Sequence, residues 1–419
     1  MHGLILTGLV LVLIIFRQPI VLIVGAALAY VHVFMTASRP EFLIQDMWIA
    51  VDREVLLSIP LFVFAGLIMA RGSIAKRLTR IMTSLTGSFP GGLAVATVLS
   101  LTAFGAICGA SAVTMLAIGT IMYPALLANG YSKSFSLGLL CAGGTLGVII
   151  PPSLLMILYG IMTEVSITKL FLAGWGPGLL LSALLSIYSV AVNWRIETKP
   201  FSGREVVDAV KSGIWAILMP VILLGGIYTG WFTVTEAAAV SVVYAIAVEF
   251  LIHRELTPRA FAGVVMETIK LQGSLMPLLA IAVSLNNVLD LEGVPQALVA
   301  FMRVYIDSKF SMLVVTNLVL LIAGALMDES SAIIVLAPLL APLGQSYGFD
   351  DVHFGIITIV NLQIGYVAPP VALNLIVAMV AFKEPFGFIC RSVVPFIGIM
   401  LIGLVITCAF PELSLFLIK

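Results

Sequence analysis

The sequence predicts an all-α, polytopic membrane protein whose two halves repeat one another in opposite orientation. Its composition, its charge placement and a repeated set of glycines and prolines support this prediction. Of 419 residues, 61% are hydrophobic and only 10% are charged, unlike an ordinary soluble domain. A helix needs about 20 apolar residues to cross a bilayer, and such stretches recur along the whole chain. The clearest are residues 4–34, 55–70, 135–160, 171–194, 214–228, 237–252, 271–289, 312–327 and 392–410.

The first apolar stretch, residues 4–34, predicts a membrane helix that stays in the mature protein. Its first part could be taken for a secretory signal peptide. However, the apolar run continues past Pro19, and no small-residue cleavage site ends it. We therefore expect one continuous first helix, followed by a loop.

The charged residues alternate between loops and so indicate which side of the membrane each loop faces. Basic loops favour the cytoplasm, so the basic set predicts the cytoplasmic face and the acidic set the outer face. The basic set is Arg71, Lys76, Arg77, Arg80, Arg195, Lys199, Arg204, Lys211, Arg254, Arg259 and Lys270, and the acidic set is Glu41, Asp46, Asp52, Glu54, Glu164, Asp290, Glu292, Asp350 and Asp351. The net charge is zero, so nothing favours nucleic-acid binding.

The side chains that usually carry catalysis form no recognisable constellation in this sequence. The four cysteines lie in apolar surroundings without a paired spacing, and the four histidines are scattered. No nucleophile–base pattern and no phosphate-binding loop is present. The sequence therefore favours a protein that is not an enzyme.

Proline and glycine landmarks recur in the same order in the two halves of the chain. Pro60 returns as Pro277, Gly105 as Gly324, Pro124 as Pro342 and Pro151-Pro152 as Pro369-Pro370, each at an offset of about 218 residues. Repeated apolar segments interrupted by glycine and proline are the best sequence-level indication of a transport site in a membrane protein. The sequence therefore predicts an internally duplicated transporter rather than turn-forming residues that recur at this spacing by chance.

The loop charges also predict how the two copies are oriented. Segments 92–107 and 113–127 are joined by a short Gly/Ser tip, so they form a re-entrant hairpin entering from the cytoplasm. Segments 312–326 and 332–343, joined by the tip Asp328-Glu-Ser-Ser331, then form a second hairpin entering from outside. If the positive-inside assignment holds, the copies form an inverted repeat.

Each copy also contains a helix that paired prolines must break. Pro151-Pro152 and Pro369-Pro370 remove amide donors, and the preceding residues are pushed towards extended backbone. Carbonyls freed near Gly147 and Gly365, together with the facing hairpin tips, would form a cage of oxygens suited to sodium rather than to a divalent ion. The helix N-termini that follow the breaks favour an anionic substrate. Each break taken alone could also be a simple proline kink.

These motifs resemble the large membrane subunit, the M or DctM-like subunit, of tripartite ATP-independent periplasmic (TRAP) transporters. The resemblance covers essentially the whole chain. The matching motifs are Pro60-Leu-Phe-x-x-Ala-Gly, Gly91-Gly-Leu-Ala, Gly144-Thr-Leu-Gly-x-Ile-Ile-Pro-Pro-Ser, Thr235-Glu-Ala-Ala-Ala-Val, Met327-Asp328, His353-Phe-Gly-Ile and Asn361-Leu-x-Ile-Gly-x-x-x-Pro-Pro-Val371.

The resemblance implies an elevator-type secondary transporter of the bacterial inner membrane, with two re-entrant hairpins and two broken helices. It implies sodium as the coupling ion, a small organic anion, usually a carboxylate, as the substrate, and two protein partners. These are a small four-helix membrane subunit (Q-type) and a periplasmic substrate-binding protein (P-type). A stand-alone ion-coupled anion transporter and a passive anion channel remain alternatives. Substrate identity lies beyond the sequence.

The resemblance also implies the site residues. The sodium ligands would be Cys108, Ala110, Ser111, Gly147, Ile150 and Pro152 in the first copy, and Ser330, Gly365, Ala368 and Pro370 in the second. In this sequence Cys108, Ala110 and Ala368 stand where the family commonly has hydroxyl side chains, which alters the sites if those hydroxyls are ligands.

Four polar residues near the breaks are candidates for substrate binding: Thr145, Asp328, Asn361 and Asn374. An acid between two apolar runs favours a functional role for Asp328, although helix capping is the alternative. Asn374 could likewise bind a carboxylate or cap a half-helix. Glu236 reads as an acid at a helix N-terminus, and Asn286 and Asn287 as partners of each other or of the small subunit.

We expect five segments from these observations. Residues 1–54 would hold an N-terminal scaffold helix and an outer loop, and residues 55–170 the first transport-domain repeat. Residues 171–270 would hold scaffold helices, residues 271–390 the inverted second repeat, and residues 391–419 a C-terminal helix.

Overall fold

The computed structural model describes residues 2–16, 18–35, 41–196, 198 and 200–418, and this part of the chain forms helices and no strand. The helices are α1 (His2–Ile15), α2 (Ile20–Phe34), α3 (Glu41–Val51), α4 (Ser58–Arg71), α5 (Ile74–Thr86), α6 (Gly92–Cys108), α7 (Ser111–Ala128), α8 (Lys133–Gly144), α9 (Leu146–Ile149), α10 (Leu154–Thr163), α11 (Ile167–Val192), α12 (Gly203–Tyr228), α13 (Val234–Ile246), α14 (Pro258–Leu291), α15 (Val294–Tyr305), α16 (Lys309–Leu326), α17 (Glu329–Ser346), α18 (Asp351–Tyr366), α19 (Leu373–Phe382), α20 (Phe386–Ala409) and α21 (Glu412–Leu415). A 3-10 turn, Glu54–Leu57, precedes α4, and a π-helical turn, Ala247–Ile252, extends α13.

The described part of the chain contains eight helices that are long and apolar enough to span a membrane. A ninth span is obtained when the bent pair Lys133–Ile149 and Leu154–Thr163, which meet at 45°, is counted as one. Helices of this number and length confirm the predicted all-α, polytopic membrane fold.

The prediction of one continuous first helix is wrong, because the run folds into two antiparallel helices. Pro19 caps the start of α2, where it cannot donate to a preceding turn and restricts Gln18 before it. The start of α1 then lies beside the end of α2, with His2 Nδ1 3.2 Å from the Tyr30 hydroxyl and its ring stacked on Phe34. The expected outer loop likewise contains α3.

The same series of elements occurs twice, and this series is the repeat unit. In the first copy α4 is followed by the short amphipathic helix α5, the hairpin α6–α7 and the broken helix α8–α10. In the second copy the C-terminal part of α14 is followed by α15, the hairpin α16–α17 and the broken helix α18–α19. The hairpins and breaks therefore form where the landmarks predict them.

Contacts at both ends of the broken helices show that the two copies run in opposite directions. Lys133, at the start of α8, lies 2.9 Å from the carboxylate of Glu384, just after α19, and its hydrogen bond lowers the pKa of that carboxyl. At the other end, the Tyr159 ring of α10 lies against Gly355 near the start of α18. The start of each broken helix is thus next to the end of the other, which confirms the inverted repeat.

The basic loops meet on one side of the molecule through ion pairs. Arg71 lies 3.0 Å from Glu267, and Arg77 lies 2.9 Å from Glu255. A third pair, between Arg80 and a carboxylate near the start of α12, measures 2.8 Å. The loops grouped by charge therefore share one face, as expected, although Lys199 lies outside the described residues.

A buried carboxylate fixes the corner between α4 and α5. The Glu249 side chain is fully buried and accepts hydrogen bonds from the backbone amides of Ser73 (2.9 Å) and Ile74 (3.1 Å). It therefore satisfies the free amides at the start of α5 from a neighbouring helix. His253 Nδ1 lies 2.8 Å from the Ser73 hydroxyl, and burial together with nearby Arg77 lowers the pKa of His253.

In each copy the first helix of the hairpin crosses the broken helix at a pair of glycines. A Cβ atom at Gly105 would lie 3.0 Å from the Gly147 nitrogen, and one at Gly365 would lie 2.8 Å from the Gly324 Cα. These backbones approach more closely than any side chain permits. The crossing is therefore repeated at equivalent positions in the two copies.

We expect Gly365→Ala to destabilise the protein, because its methyl group would overlap the Gly324 backbone. The expected loss in the free energy of unfolding is about 1–3 kcal/mol. The matched control is Gly263→Ala in α14, where a Cβ meets nothing within 4 Å, so the better helix propensity of alanine should leave stability unchanged or raise it by up to about 1 kcal/mol. Unfolding in detergent measures both, and equal stability of the two variants would contradict the predicted crossing.

Candidate functional site

The first break leaves backbone carbonyls without donors inside the protein. Helix α9 ends at Ile149 and α10 begins at Leu154. The residues four positions after Gly147 and Val148 are prolines, which have no N–H. Within the described residues, no hydrogen bond reaches the carbonyls of Gly147 or Val148, so their oxygens are free to bind a cation.

The tip of the first hairpin lies directly on this break. Gly109 ends α6 in the left-handed region (φ 65°), and its carbonyl accepts a hydrogen bond from the Leu154 amide at 3.2 Å. A Cβ at Gly109 would lie 2.7 Å from the Pro152 carbonyl oxygen. Only glycine combines this backbone conformation with so close an approach. The break and the tip therefore form one site.

Two buried hydroxyls at the first tip lack hydrogen-bond partners. Ser111 and Thr114, in the first turn of α7, are fully buried, and neither hydroxyl has a partner. Thr114 faces Gly147 across the contact between tip and break. Cys108 is buried beside them, and Ala110 precedes α7 with extended backbone. Sequence reasoning missed Thr114, although its spacing of three from Ser111 places both on one helix face.

The second break repeats this arrangement with one difference. The Val371 amide donates to the Ala325 carbonyl at 3.3 Å, so tip and break are again tied through the backbone. However, the Gly365 carbonyl already accepts a hydrogen bond from the Ala368 amide at 2.8 Å. The Gly365 carbonyl is therefore less available to a cation than the Gly147 carbonyl.

Asp328 acts as a helix cap at the second tip. Its carboxylate accepts hydrogen bonds from the Ser331 amide (2.9 Å) and the Ser331 hydroxyl (2.5 Å) at the start of α17. Of the two roles open for Asp328, the structure shows the capping role. Ser330, a predicted ion ligand, is buried in the same turn.

The next residue, Glu329, and its partner Gln363 were not expected at the site. Glu329 is buried at the tip, and Gln363 of α18 is buried in the broken helix and donates a hydrogen bond to the Glu329 carboxylate. Gln363 and Asn361 are two amides inside an otherwise apolar stretch of α18, so the polar residue at 363 is a usable sequence signal. Among the acids of the tip, only Asp328 was a candidate from the sequence.

The remaining substrate candidates bond to the protein's own backbone. The Thr145 hydroxyl donates to the Ala142 carbonyl at 2.6 Å within its own helix. Asn361 donates to the Asn317 carbonyl at 3.0 Å. Asn374 donates to the Cys141 carbonyl at 3.1 Å, so it joins the two copies and does not cap α19.

The structure also bears on two other polar positions, Glu236 and Asn286. Glu236 and Thr233 form a reciprocal capping box at the start of α13, so Glu236 is confirmed as an acid at a helix N-terminus. The Asn286 amide donates to the Met162 carbonyl at 3.2 Å and not to Asn287, because the end of α10 packs against α14. A contact of these two residues with the small subunit stays a prediction.

The contact between α10 and α14 borders a polar cavity of about 250 Å³. It is lined by residues of α14, of the end of α10 and of α17, the second helix of the second hairpin, together with Arg53 and Glu164. The cavity thus lies between α14 and elements that carry the breaks and tips, beside the contact of α14 with α10.

The donor chemistry of the two sites fits a hard monovalent cation. Carbonyl, hydroxyl and carboxylate oxygens surround the breaks, and such oxygens suit sodium. Within the residues the structure describes, no group of three or more His, Cys, Asp or Glu side chains could hold a metal ion. A zinc-type or transition-metal centre therefore does not fit this part of the chain.

Comparison with known proteins identifies the family. Residues 7–413 match the family model of the tripartite ATP-independent periplasmic transporter, DctM component. The C4-dicarboxylate TRAP transporter large permease protein DctM of Pseudomonas aeruginosa is 39% identical, over 87% of this chain and 86% of that protein. The ectoine/5-hydroxyectoine TRAP transporter large permease protein UehC of Ruegeria pomeroyi is 35% identical, over 98% of this chain and 97% of that protein.

Two further matches are a longer relative and a solved structure. The isethionate TRAP transporter permease protein DctMQ of Oleidesulfovibrio alaskensis is 36% identical over 95% of this chain, which spans 63% of that longer protein. The crystal structure of the Alcanivorax borkumensis YdaH transporter shares the fold, with a TM-score of 0.58 at 14% identity over 99% of this chain and 98% of that one. The chain therefore belongs to the DctM family of TRAP transporter large permeases, and it is a multi-pass protein of the bacterial inner membrane and not an enzyme.

Proposed function

We propose that this permease couples sodium entry to the secondary active uptake of a small organic anion. The single observation that carries the proposal is the pairing of a hairpin tip with a helix break, once in each copy of an inverted repeat. In the first copy this pairing leaves the Gly147 carbonyl and the Ser111 and Thr114 hydroxyls without partners. Buried oxygens without donors are costly unless a cation binds them.

An anionic substrate is supported by the half-helices and by the printed names of relatives. Helices α10 and α19 each begin just after a break, so each has its positive dipole end beside that break. C4-dicarboxylates and isethionate, named for two relatives, are anions, whereas a third relative is named for ectoine. We therefore assign the class of small organic acids, with carboxylates first.

Two protein partners complete the proposal: a small membrane subunit and a periplasmic substrate-binding protein. The isethionate relative bears the combined name DctMQ, and this chain spans only 63% of it. The combined name supports a small membrane subunit as a partner of this permease. The polar segments between its helices are short loops, and we propose that a soluble periplasmic receptor delivers the substrate to them.

We further propose an elevator movement in which both hairpins and both broken helices move as one block. The two glycine crossings and the Asn374–Cys141 hydrogen bond tie these four elements together. Helix α11 joins the block, since Gly174 packs on Met156 of the first broken helix. This assignment differs from the boundary expected at residue 171, and in it α12, α13 and α14 with α4 would form the static part.

The first test of this proposal is uptake by proteoliposomes that contain the chain and both partners. Substrate should accumulate above its outside concentration only when sodium is higher outside, because a secondary transporter draws on that gradient. A passive channel would equilibrate the substrate and ignore sodium. Full uptake of free substrate by the isolated chain would instead favour a stand-alone transporter.

The second test concerns the first ion site. Thr114→Val keeps the shape of the side chain and removes its hydroxyl, so the sodium concentration for half-maximal uptake should rise about tenfold, or about 1.4 kcal/mol. The control is Thr120→Val, whose exposed hydroxyl bonds only to the Ala117 carbonyl of its own helix. That control should keep the sodium dependence of the parent protein. If Thr114→Val also keeps the parent's sodium concentration for half-maximal uptake, the Thr114 hydroxyl is not part of the first ion site.

The third test concerns the movement. Asn286 of α14 and Met162 of α10 are in contact, and we expect a mercury cross-link between cysteines at these positions to stop uptake, because it ties the block to the static part. The native cysteines are replaced first. Reversal of the cross-link by excess thiol should restore uptake. Unimpaired uptake with the link formed would show that these elements do not move apart.

A further inference from the structure

The second hairpin tip buries a carboxylate that forms no ion pair within the described residues. Glu329 is only 8% exposed, and the amide of Gln363 is the one hydrogen-bond donor that reaches it in this part of the chain. Its sequence neighbour, Asp328, is another acid. A buried carboxylate without a compensating charge is energetically costly. The Glu329 carboxylate therefore needs a bound cation or a proton to be stable here.

The amide that contacts Glu329 is itself incompletely bonded. Gln363 is fully buried, and its Oε1 atom has no partner. Because Nε2 of the same group donates to Glu329, Oε1 lies on the same carboxamide next to the carboxylate. Two acceptor groups thus lie together in a buried space, and Oε1 has no donor while the carboxylate has only one. A bound cation satisfies both at once.

The second break and tip offer fewer free oxygens at two of the equivalent positions. The Gly147 carbonyl in the first copy is free, but the Gly365 carbonyl already accepts the Ala368 amide at 2.8 Å. Ser330 corresponds to Ser111, but Ile333 stands where the first copy has Thr114, and the Ser331 hydroxyl bonds to Asp328. Oxygens from Glu329 and Gln363 can take the place of these groups.

We propose that the Glu329 carboxylate and Gln363 Oε1 are ligands of the sodium ion at the second break. This proposal rests on the sodium coupling proposed above and extends it. The second site then carries a full negative charge, whereas the first is built from neutral oxygens. The two ions are held unequally, and the charged second site binds sodium more tightly.

The experiment measures sodium binding directly and does not depend on uptake. Purified full-length chain in detergent is titrated with sodium chloride at constant ionic strength, with N-methyl-D-glucamine as the replacing cation, and its unfolding temperature is recorded. Sodium that binds only the folded state raises this temperature. Glu329→Gln keeps the shape and removes the charge, so the sodium concentration needed for half of the stabilisation should rise at least about tenfold.

Matched variants separate the ligand role from folding and from surface charge. Gln363→Met should weaken the response similarly, and Glu329→Asp, which keeps the charge, should retain more of it than Glu329→Gln. Glu292→Gln removes an exposed acid and should behave as the parent. If Glu329→Gln does not fold, isothermal titration of Gln363→Met with sodium decides instead.

The outcomes of this experiment are distinct. A parental sodium response in Glu329→Gln, or in Gln363→Met where that variant decides, overturns the proposal and indicates that Glu329 is buried as a neutral acid. Sodium binding that depends on Glu329, found together with uptake that ignores sodium, supports this proposal and refutes sodium-coupled transport. Sodium-driven uptake, found together with unchanged sodium binding in Glu329→Gln, supports sodium-coupled transport and overturns the proposal that Glu329 is a ligand.

Discussion

The structure depends on one constraint: a backbone that is broken inside a membrane protein must find new partners for its polar groups. Two proline pairs remove amide donors from two helices in the middle of the fold. In both copies a hairpin tip packs on the break and supplies part of what is missing. The Leu154 amide reaches the Gly109 carbonyl in the first copy, and the Val371 amide reaches the Ala325 carbonyl in the second. The oxygens left over form the candidate ion sites.

Glycine makes this arrangement possible, because tip and break approach at backbone distance. The crossings of Gly105 with Gly147 and of Gly324 with Gly365 leave no room for a Cβ. They hold hairpin and broken helix together in each copy, while Asn374 links one copy to the other. These contacts and the polar cavity beside α14 are the observations from which the elevator movement is proposed.

The two copies have the same topology but different chemistry. The first site offers neutral oxygens from the backbone and from hydroxyls, whereas the second contains a buried acid and a buried amide. Duplication therefore preserved the positions of breaks and tips, which packing constrains, while the polar groups around them diverged. The two sites differ in their oxygen donors because these side chains are not repeated between the copies.

The sequence by itself determined the class, the inverted repeat and the positions of tips and breaks, because apolar length, loop charge and proline placement act locally. It failed where a decision depends on contacts between distant segments. The sequence predicted one helix across Pro19, but α2 folds back along α1, so that His2 contacts Tyr30. Thr114, Glu329 and Gln363 gained significance only when tertiary structure brought α7 to Gly147 and the second tip to α18. The capping contact of Asp328 likewise became visible only in the geometry of its own turn.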